Sequence, residues 1–295
     1  MSSPIRIATR SSKLALWQAN KVGKMLNCEY ELVKVTTTGD SKTDVSIAEI
    51  GGIGAFAKEI QLAVLNGDAH IAVHSAKDLP AQTPQGLKLA SVPLRGDVRD
   101  VLVGSTIDNL KTGAVIATGS QRRRSQLAHL RPDLKFEDLR GNIQTRLEKS
   151  KNFDAIVLAY VALERLSLQD SASQILSVNQ MLPQVGQGAL AIEVREDDEE
   201  TTNLVENIND VNAYKCLLAE RAFLETLGGG CTLPCAAYAV IENDSIFLRA
   251  LLGSNDGNKI IRSEMTMLDP VELGKKVATD ILHTQDGESL LKEIQ

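Results

Sequence analysis

Short apolar runs recur along the chain, and between them apolar residues return at helical spacing. Residues 5–9, 30–36, 71–73 and 87–92 read as strands, while Leu14, Trp17, Val22 and Leu26, and then residues 56–65, read as helices. The alternation resumes at 101–104, with strands over 114–118, 134–139 and 154–158 and helices from Ser120 to about Leu130 and over 143–149. Strands that alternate with helices build a largely parallel sheet covered on both faces, so two such successions predict two doubly wound α/β lobes. At 295 residues the chain is too long for one typical core, which agrees with two or three domains. The last third changes character. A turn-rich PQVGQG at 183–188 precedes a strand at 189–194, and an amphipathic helix over 213–227 stops at Gly228-Gly229-Gly230. A hairpin over 236–241 and 246–252 turns at Asn243-Asp244, and a strand at 260–267 and helices after Pro270 complete a small α+β domain.

Charge and composition remove whole classes of function. A net charge of −6 argues against a general nucleic-acid or anionic-membrane binder, and 3% aromatic residues leave few stacking platforms for single strands. The first residues carry no long apolar core, and no run approaches a membrane span, so a cytoplasmic protein is expected. Cys28, Cys216, Cys231 and Cys235 are then expected as reduced thiols. No histidine has ligand spacing to Cys231 and Cys235, so no metal site is expected.

The candidate chemistry sits at strand ends. In AHIAVHSAKDLP (69–80), Pro80 forbids a continuing helix and pushes Leu79 towards extended geometry, which leaves Ser75, Lys77 and Asp78 just past the carboxyl end of a strand. Ligands of open α/β sheets bind there. A carboxylate beside an ammonium could stabilise a developing cation and grip an acidic substrate; a solvated turn is the plain alternative. Arg10 with Ser11 and Ser12 lies at a helix start, where an anion site or simple capping would both account for it. Arg122 and Arg123 follow Thr118-Gly119-Ser120 in the first turn of a helix, Arg140 lies at another strand end, and Arg146 is about one helical turn further. Cations there oppose the helix macrodipole, so bidentate recognition of carboxylates or phosphates explains them better than helix stability does. Residues 37–54 read as a long polar loop of the kind that often forms a lid. Cys231, behind three glycines, is either a structural thiol or a covalent attachment point.

Nine of these stretches, in order, resemble the hydroxymethylbilane synthase (porphobilinogen deaminase) family: IRIATRSSKLALWQA, TTGD, GGIGAFAKEI, HIAVHSAKDLPA, ATGSQRRRSQLA, LRGNIQTRL, DAIVLAYVAL, VGQGALAIE and GGGCTLP. The resemblance implies two lobes of the solute-binding-protein type facing a cleft, here residues 1–94 with 189–210 and residues 95–188, plus a C-terminal domain over 211–295. It implies a transferase of porphyrin, haem and tetrapyrrole biosynthesis, acting as a monomer. Such an enzyme joins four porphobilinogen molecules into linear hydroxymethylbilane with release of ammonia. The chain grows on a dipyrromethane cofactor held by a thioether to the position of Cys231. The family's catalytic aspartate matches Asp78. By the same pattern Arg10, Ser12, Ser75, Lys77, Thr118, Ser120, Arg122, Arg123, Arg140 and Arg146 contact cofactor or substrate carboxylates, and Gln187 lies near the hinge. The family often reads KVGGKGLF where this chain has EIGGIGAF, which replaces two lid lysines by Glu49 and Ile53; Gly119 and Gly228 also depart from its pattern. A non-catalytic two-lobed binding or sensing protein for a polycarboxylate is the competing reading, and a nucleic-acid protein resting on Arg122–Arg124 is a weaker one.

Overall fold

A computed structural model describes residues 3–38, 54, 56–229 and 233–294. In chain order it opens with β1 (Ile5–Arg10), α1 (Lys13–Met25), β2 (Tyr30–Val35), α2 (Lys58–Leu65), β3 (Ile71–Ser75) and β4 (Leu87–Ser91). It continues with β5 (Asp100–Val103), β6 (Val115–Ala117), α3 (Gln121–Leu130), β7 (Lys135–Glu137), α4 (Ile143–Lys149), β8 (Ala155–Ala159), α5 (Tyr160–Arg165) and β9 (Gln174–Ile175). Then come β10 (Leu190–Arg195), α6 (Glu199–Glu206), α7 (Val211–Thr226), the strands β11 (Cys235–Glu242), β12 (Ser245–Gly253) and β13 (Ile260–Met267), and the helices α8 (Pro270–Thr279) and α9 (Gly287–Ile294). By compactness these elements form two units. One holds residues 1–96 and 188–215, the other 97–187 and 216–295.

The first unit is built on a five-stranded sheet of order β2-β1-β3-β10-β4. β1 pairs in parallel with β2 and β3, whereas β10 runs antiparallel between β3 and β4. Alternation along each strand sends side chains to opposite faces. Ile5, Ile7, Ile71, Val73, Ile192 and Val194 are buried on one side with Val22 of α1 and Val205 of α6. Ala8 and Ala72 face the other side with Ile60 and Val64 of α2. Both faces are therefore covered, as the βαβ pattern predicts.

The second unit repeats this architecture as β7-β6-β8-β5-β9, in which β5 is the antiparallel strand. Leu102, Ile116 and Val157 pack with Leu127 of α3 on one face, and Val101, Val103, Ile156 and Leu158 pack with Leu163 of α5 on the other. The same unit contains the antiparallel sheet β11-β12-β13, whose apolar side packs with Phe223 of α7 and Leu273 and Val277 of α8. The expected hairpin turn is present, with both Asn243 and Asp244 in the left-handed region. Sequence periodicity gave no sign of the short α5 and β9, nor of the antiparallel sense of β5 and β10. The expected lid, with Glu49 and Ile53, lies almost wholly outside the described residues.

Candidate active site

In the first unit β1 and β3 are adjacent and parallel, so their carboxyl ends share one sheet edge. Arg10 ends β1, and its guanidinium stacks 4.1 Å from the centre of the Phe56 ring. Ser12 is the N-cap of α1, with its hydroxyl accepting from the Ala15 amide at 3.3 Å. Capping thus accounts for Ser12 directly. Ser75 ends β3, opposite Leu190 of β10. Lys77 and Asp78 then occupy a single 3-10 turn, Ala76–Asp78, closed by the Leu79 amide donating to the Ala76 carbonyl. Leu79 is extended, as Pro80 requires. The side chains of Ser75, Lys77 and Asp78 are half-buried at this edge.

Beneath that edge lies a group that sequence reading missed. Glu193, in the middle of β10, is fully buried; it takes a hydrogen bond from Gln61 at 2.9 Å and lies 3.2 Å from His74 Nε2. His74 immediately precedes Ser75, so this polar pair underlies the strand end that carries Lys77 and Asp78.

In the second unit β6 ends at Ala117, and Thr118 and Ser120 lead into α3. Thr118 is buried and accepts from the Ser120 amide at 3.2 Å, while Ser120 stands at the N-cap without a side-chain cap bond. Arg140 follows the end of β7 and is half-buried, as is Arg146 of α4, whose Nε donates to the Gly141 carbonyl at 2.7 Å. Arg124 pairs with Asp138 at 3.3 Å.

Arg122 and Arg123, expected to contact cofactor or substrate carboxylates, are buried against a carboxylate of the protein itself. They are 3% and 6% exposed and meet a wholly buried carboxylate, Asp100. Arg123 donates to Asp100 Oδ1 through Nε at 3.1 Å and Nη2 at 2.8 Å, and to the Val157 carbonyl at 3.0 Å. Arg122 Nη2 lies 2.7 Å from Asp100 Oδ2, and its Nη1 donates to the Leu182 carbonyl at 2.7 Å. Gln187 joins the cluster, donating to Asp100 Oδ1 at 3.1 Å and to the Val98 carbonyl at 2.7 Å. Burial pushes the Asp100 carboxyl up, but the Arg122 and Arg123 charges outweigh it and hold its pKa at about 2. Burial lowers the pKa of Arg122, against the pull of Asp100. The carboxylate that explains two cations in a first helical turn is therefore, in the first instance, the protein's own. Asp100 faces Ala159 across the β5–β8 register, at the carboxyl end of the parallel strands.

Comparison with known proteins settles what this framework belongs to. Residues 5–203 match the family model "Porphobilinogen deaminase, dipyromethane cofactor binding domain", and residues 214–283 match "Porphobilinogen deaminase, C-terminal domain". The chain belongs to the porphobilinogen deaminase family. The porphobilinogen deaminase of Brevibacillus brevis is 44% identical over 98% of this chain and 97% of its own length. That of Chlorobium phaeobacteroides is 45% identical over 100% and 99%. Among solved structures, the periplasmic VFT2 domain of Bordetella pertussis BvgS is similar over 74% of this chain and 92% of its own, at 12% identity and a TM-score of 0.41. That likeness is too loose to add to the fold read from strand order. As a member of that family the chain is a transferase of tetrapyrrole biosynthesis with a dipyrromethane cofactor domain. The binding-protein and nucleic-acid readings give way to it. Cys231 lies outside the described residues. Cys235, four positions on, is buried at the start of β11, and Gly228, a departure from the family pattern, has φ +92°, a conformation that favours glycine.

Proposed function

We propose that this chain joins four porphobilinogen molecules head to tail, releasing ammonia from each, and that Asp78 and Cys231 carry the chemistry. The observation that supports it best is the Ala76–Asp78 turn at the carboxyl edge of β3, which puts an ammonium and a carboxylate at consecutive positions, both half-buried, where the ends of the parallel strands β1 and β3 lie.

The donor set fits a dipyrromethane cofactor. Each of its rings bears an acetate and a propionate, and Arg122 Nε is a buried donor with no hydrogen-bond partner among the described residues. Arg10, Ser12, Ser75, Lys77, Thr118, Ser120, Arg122, Arg123, Arg140, Arg146 and Gln187 would hold cofactor and substrate carboxylates, and Cys231 would hold the cofactor by a thioether. When bound, the cofactor supplies the primer on which the chain grows. Carboxylates added with each ring explain a local basic field in a protein of net charge −6. Departure of ammonia leaves the substrate methylene carbon electron-poor. The Asp78 carboxylate stabilises that positive charge near the pyrrole N–H groups and accepts or returns a proton as rings couple.

The same reading divides the chain into three domains, 1–94 with 189–210, 95–188, and 211–295, and makes it a cytoplasmic monomer that binds no nucleic acid. Among the described residues no helix is long and apolar enough to cross a membrane. Intact mass of the purified protein is the test. The expected result is a covalent excess of two pyrrole units, lost in Cys231→Ser and kept in Cys235→Ser. An excess that survives in Cys231→Ser and disappears in Cys235→Ser overturns the assignment.

A further inference from the structure

Asp100 itself has no role in the reaction as described, and the geometry of the buried cluster around it does not suit one of stability alone. Burying three charged groups is weak support for a fold, since apolar side chains of similar volume often serve as well or better. The two cations also sit in the first turn of α3, where the macrodipole opposes them. What the cluster does supply is fixed direction. Arg123 spends Nε and both terminal nitrogens on Asp100 and the Val157 carbonyl, which leaves it one rotamer. Arg122 Nη1 donates to the Leu182 carbonyl and Nη2 is ion-paired with Asp100 Oδ2, while Nε has neither kind of partner among the described residues.

The backbone beneath these side chains is fixed independently. Gln126 both donates to the Leu182 carbonyl, at 3.1 Å, and accepts from the Leu182 amide, at 2.7 Å. Leu182 itself is buried with Ala236 of β11 and Leu251 of β12. At the other end of α3 the β12–β13 loop lies directly on the helix. A Cβ on Gly257 would stand 2.5 Å from the Ser125 carbonyl oxygen, and His129 Nδ1 is 3.0 Å from the Gly257 carbonyl. With the helix seated this firmly, the freedom that remains at its first turn is that of the two guanidinium groups. Asp100 removes it, and Gln187 in turn fixes Asp100. Two cations against one anion leave one positive charge uncompensated.

We propose that Asp100 is a positioning residue: it acts through Arg122 and Arg123, aligning them so that Arg122 Nε and the surplus charge receive a carboxylate of the cofactor or growing chain. This rests on the reading above, in which such carboxylates bind at the start of α3.

The test compares wild type, Asp100→Asn, Arg122→Lys and the double variant, each first shown by urea denaturation to unfold cooperatively. Two quantities are read by mass spectrometry: the fraction of purified protein carrying the two-pyrrole adduct, and the distribution of enzyme-bound intermediates after limited porphobilinogen. Asp100→Asn should lower the loaded fraction at least about tenfold, and adding Arg122→Lys should lower it no further, because both act through one network. Asp100→Glu keeps the charge, displaces the carboxylate by one methylene and covers the case in which Asp100→Asn does not fold; it should stall chain growth at a lower ring count. The proposal is overturned if folded Asp100→Asn or Asp100→Glu matches wild type in loading and intermediates, or if the two effects multiply in the double variant. A wild-type protein without the adduct would instead refute the reading on which the proposal rests.

Discussion

The two α/β sheets share a strand order and a peculiarity. In each, the fourth strand runs against its neighbours and carries one fully buried carboxylate, Glu193 on β10 and Asp100 on β5. The difference is depth. Glu193 pairs in register with Ala72, three residues short of the carboxyl end of β3, and lies against a histidine and an amide. Asp100 pairs with Ala159, at the carboxyl end of β8, and its neighbours are two guanidinium groups. One topology therefore holds a buried acid in two ways. Mid-sheet it ties strand to helix, and at the edge it aims cations where ligands of such sheets arrive.

Removing each acid shows how far the contrast reaches. Asp100→Leu strands two buried cations and should cost about 3–5 kcal/mol, the penalty for breaking a buried ion pair from one side. Glu193→Leu takes the carboxylate away from Gln61 and His74, about 1–3 kcal/mol for the hydrogen bond lost. Urea midpoints at equal slope measure both, and equal losses would erase the distinction. Next in size is Asp78→Asn, at the edge of the first sheet. Loss of an electrostatic group of this kind raises the barrier by roughly 3 kcal/mol, seen as turnover falling at least about a hundredfold while the urea midpoint stays put. Near-normal turnover in a cofactor-loaded variant would remove Asp78 from the chemistry.

Acid supplies a gentler probe. The folded-state pKa of Asp100 is about 2, against an ordinary 3.8. Its contribution is complete above the ordinary value and is lost as pH falls towards 2, a change of about 2 kcal/mol. Asp100→Asn should flatten the urea midpoint across that window. If the variant keeps the wild-type slope, other carboxylates are responsible. Smallest is Ser12→Ala. Loss of the α1 cap should cost about 1 kcal/mol. A larger fall in substrate affinity than in stability would show that Ser12 binds as well as caps.

Much of this was legible in sequence where local rules decide. Pro80 fixed Leu79 as extended and so exposed the Asp78 turn; Asn243-Asp244 announced the hairpin; the spacing over 143–149 matched α4 end to end. What escaped depends on register. Asp100 matters because β5 lies antiparallel to β8 with its first residue at the strand-end edge, and nothing within four residues of sequence encodes that. The internal partner of Arg122 and Arg123 escaped for the same reason, since Asp100 is more than twenty residues away. Glu193 lies in an otherwise apolar run, where periodicity alone says only "strand".

The antiparallel fourth strands also set an order of assembly. β10, needed between β3 and β4, is encoded at 190–195, after every strand of the β7-β6-β8-β5-β9 sheet. A ribosome that has delivered residues up to 187 has released a complete second sheet, while the first still shows β3 and β4 as open edges, the kind that pair with strangers. The part of the chain made first is thus completed later, and until β10 emerges the strand that leads into the Asp78 turn stays without one of its neighbours.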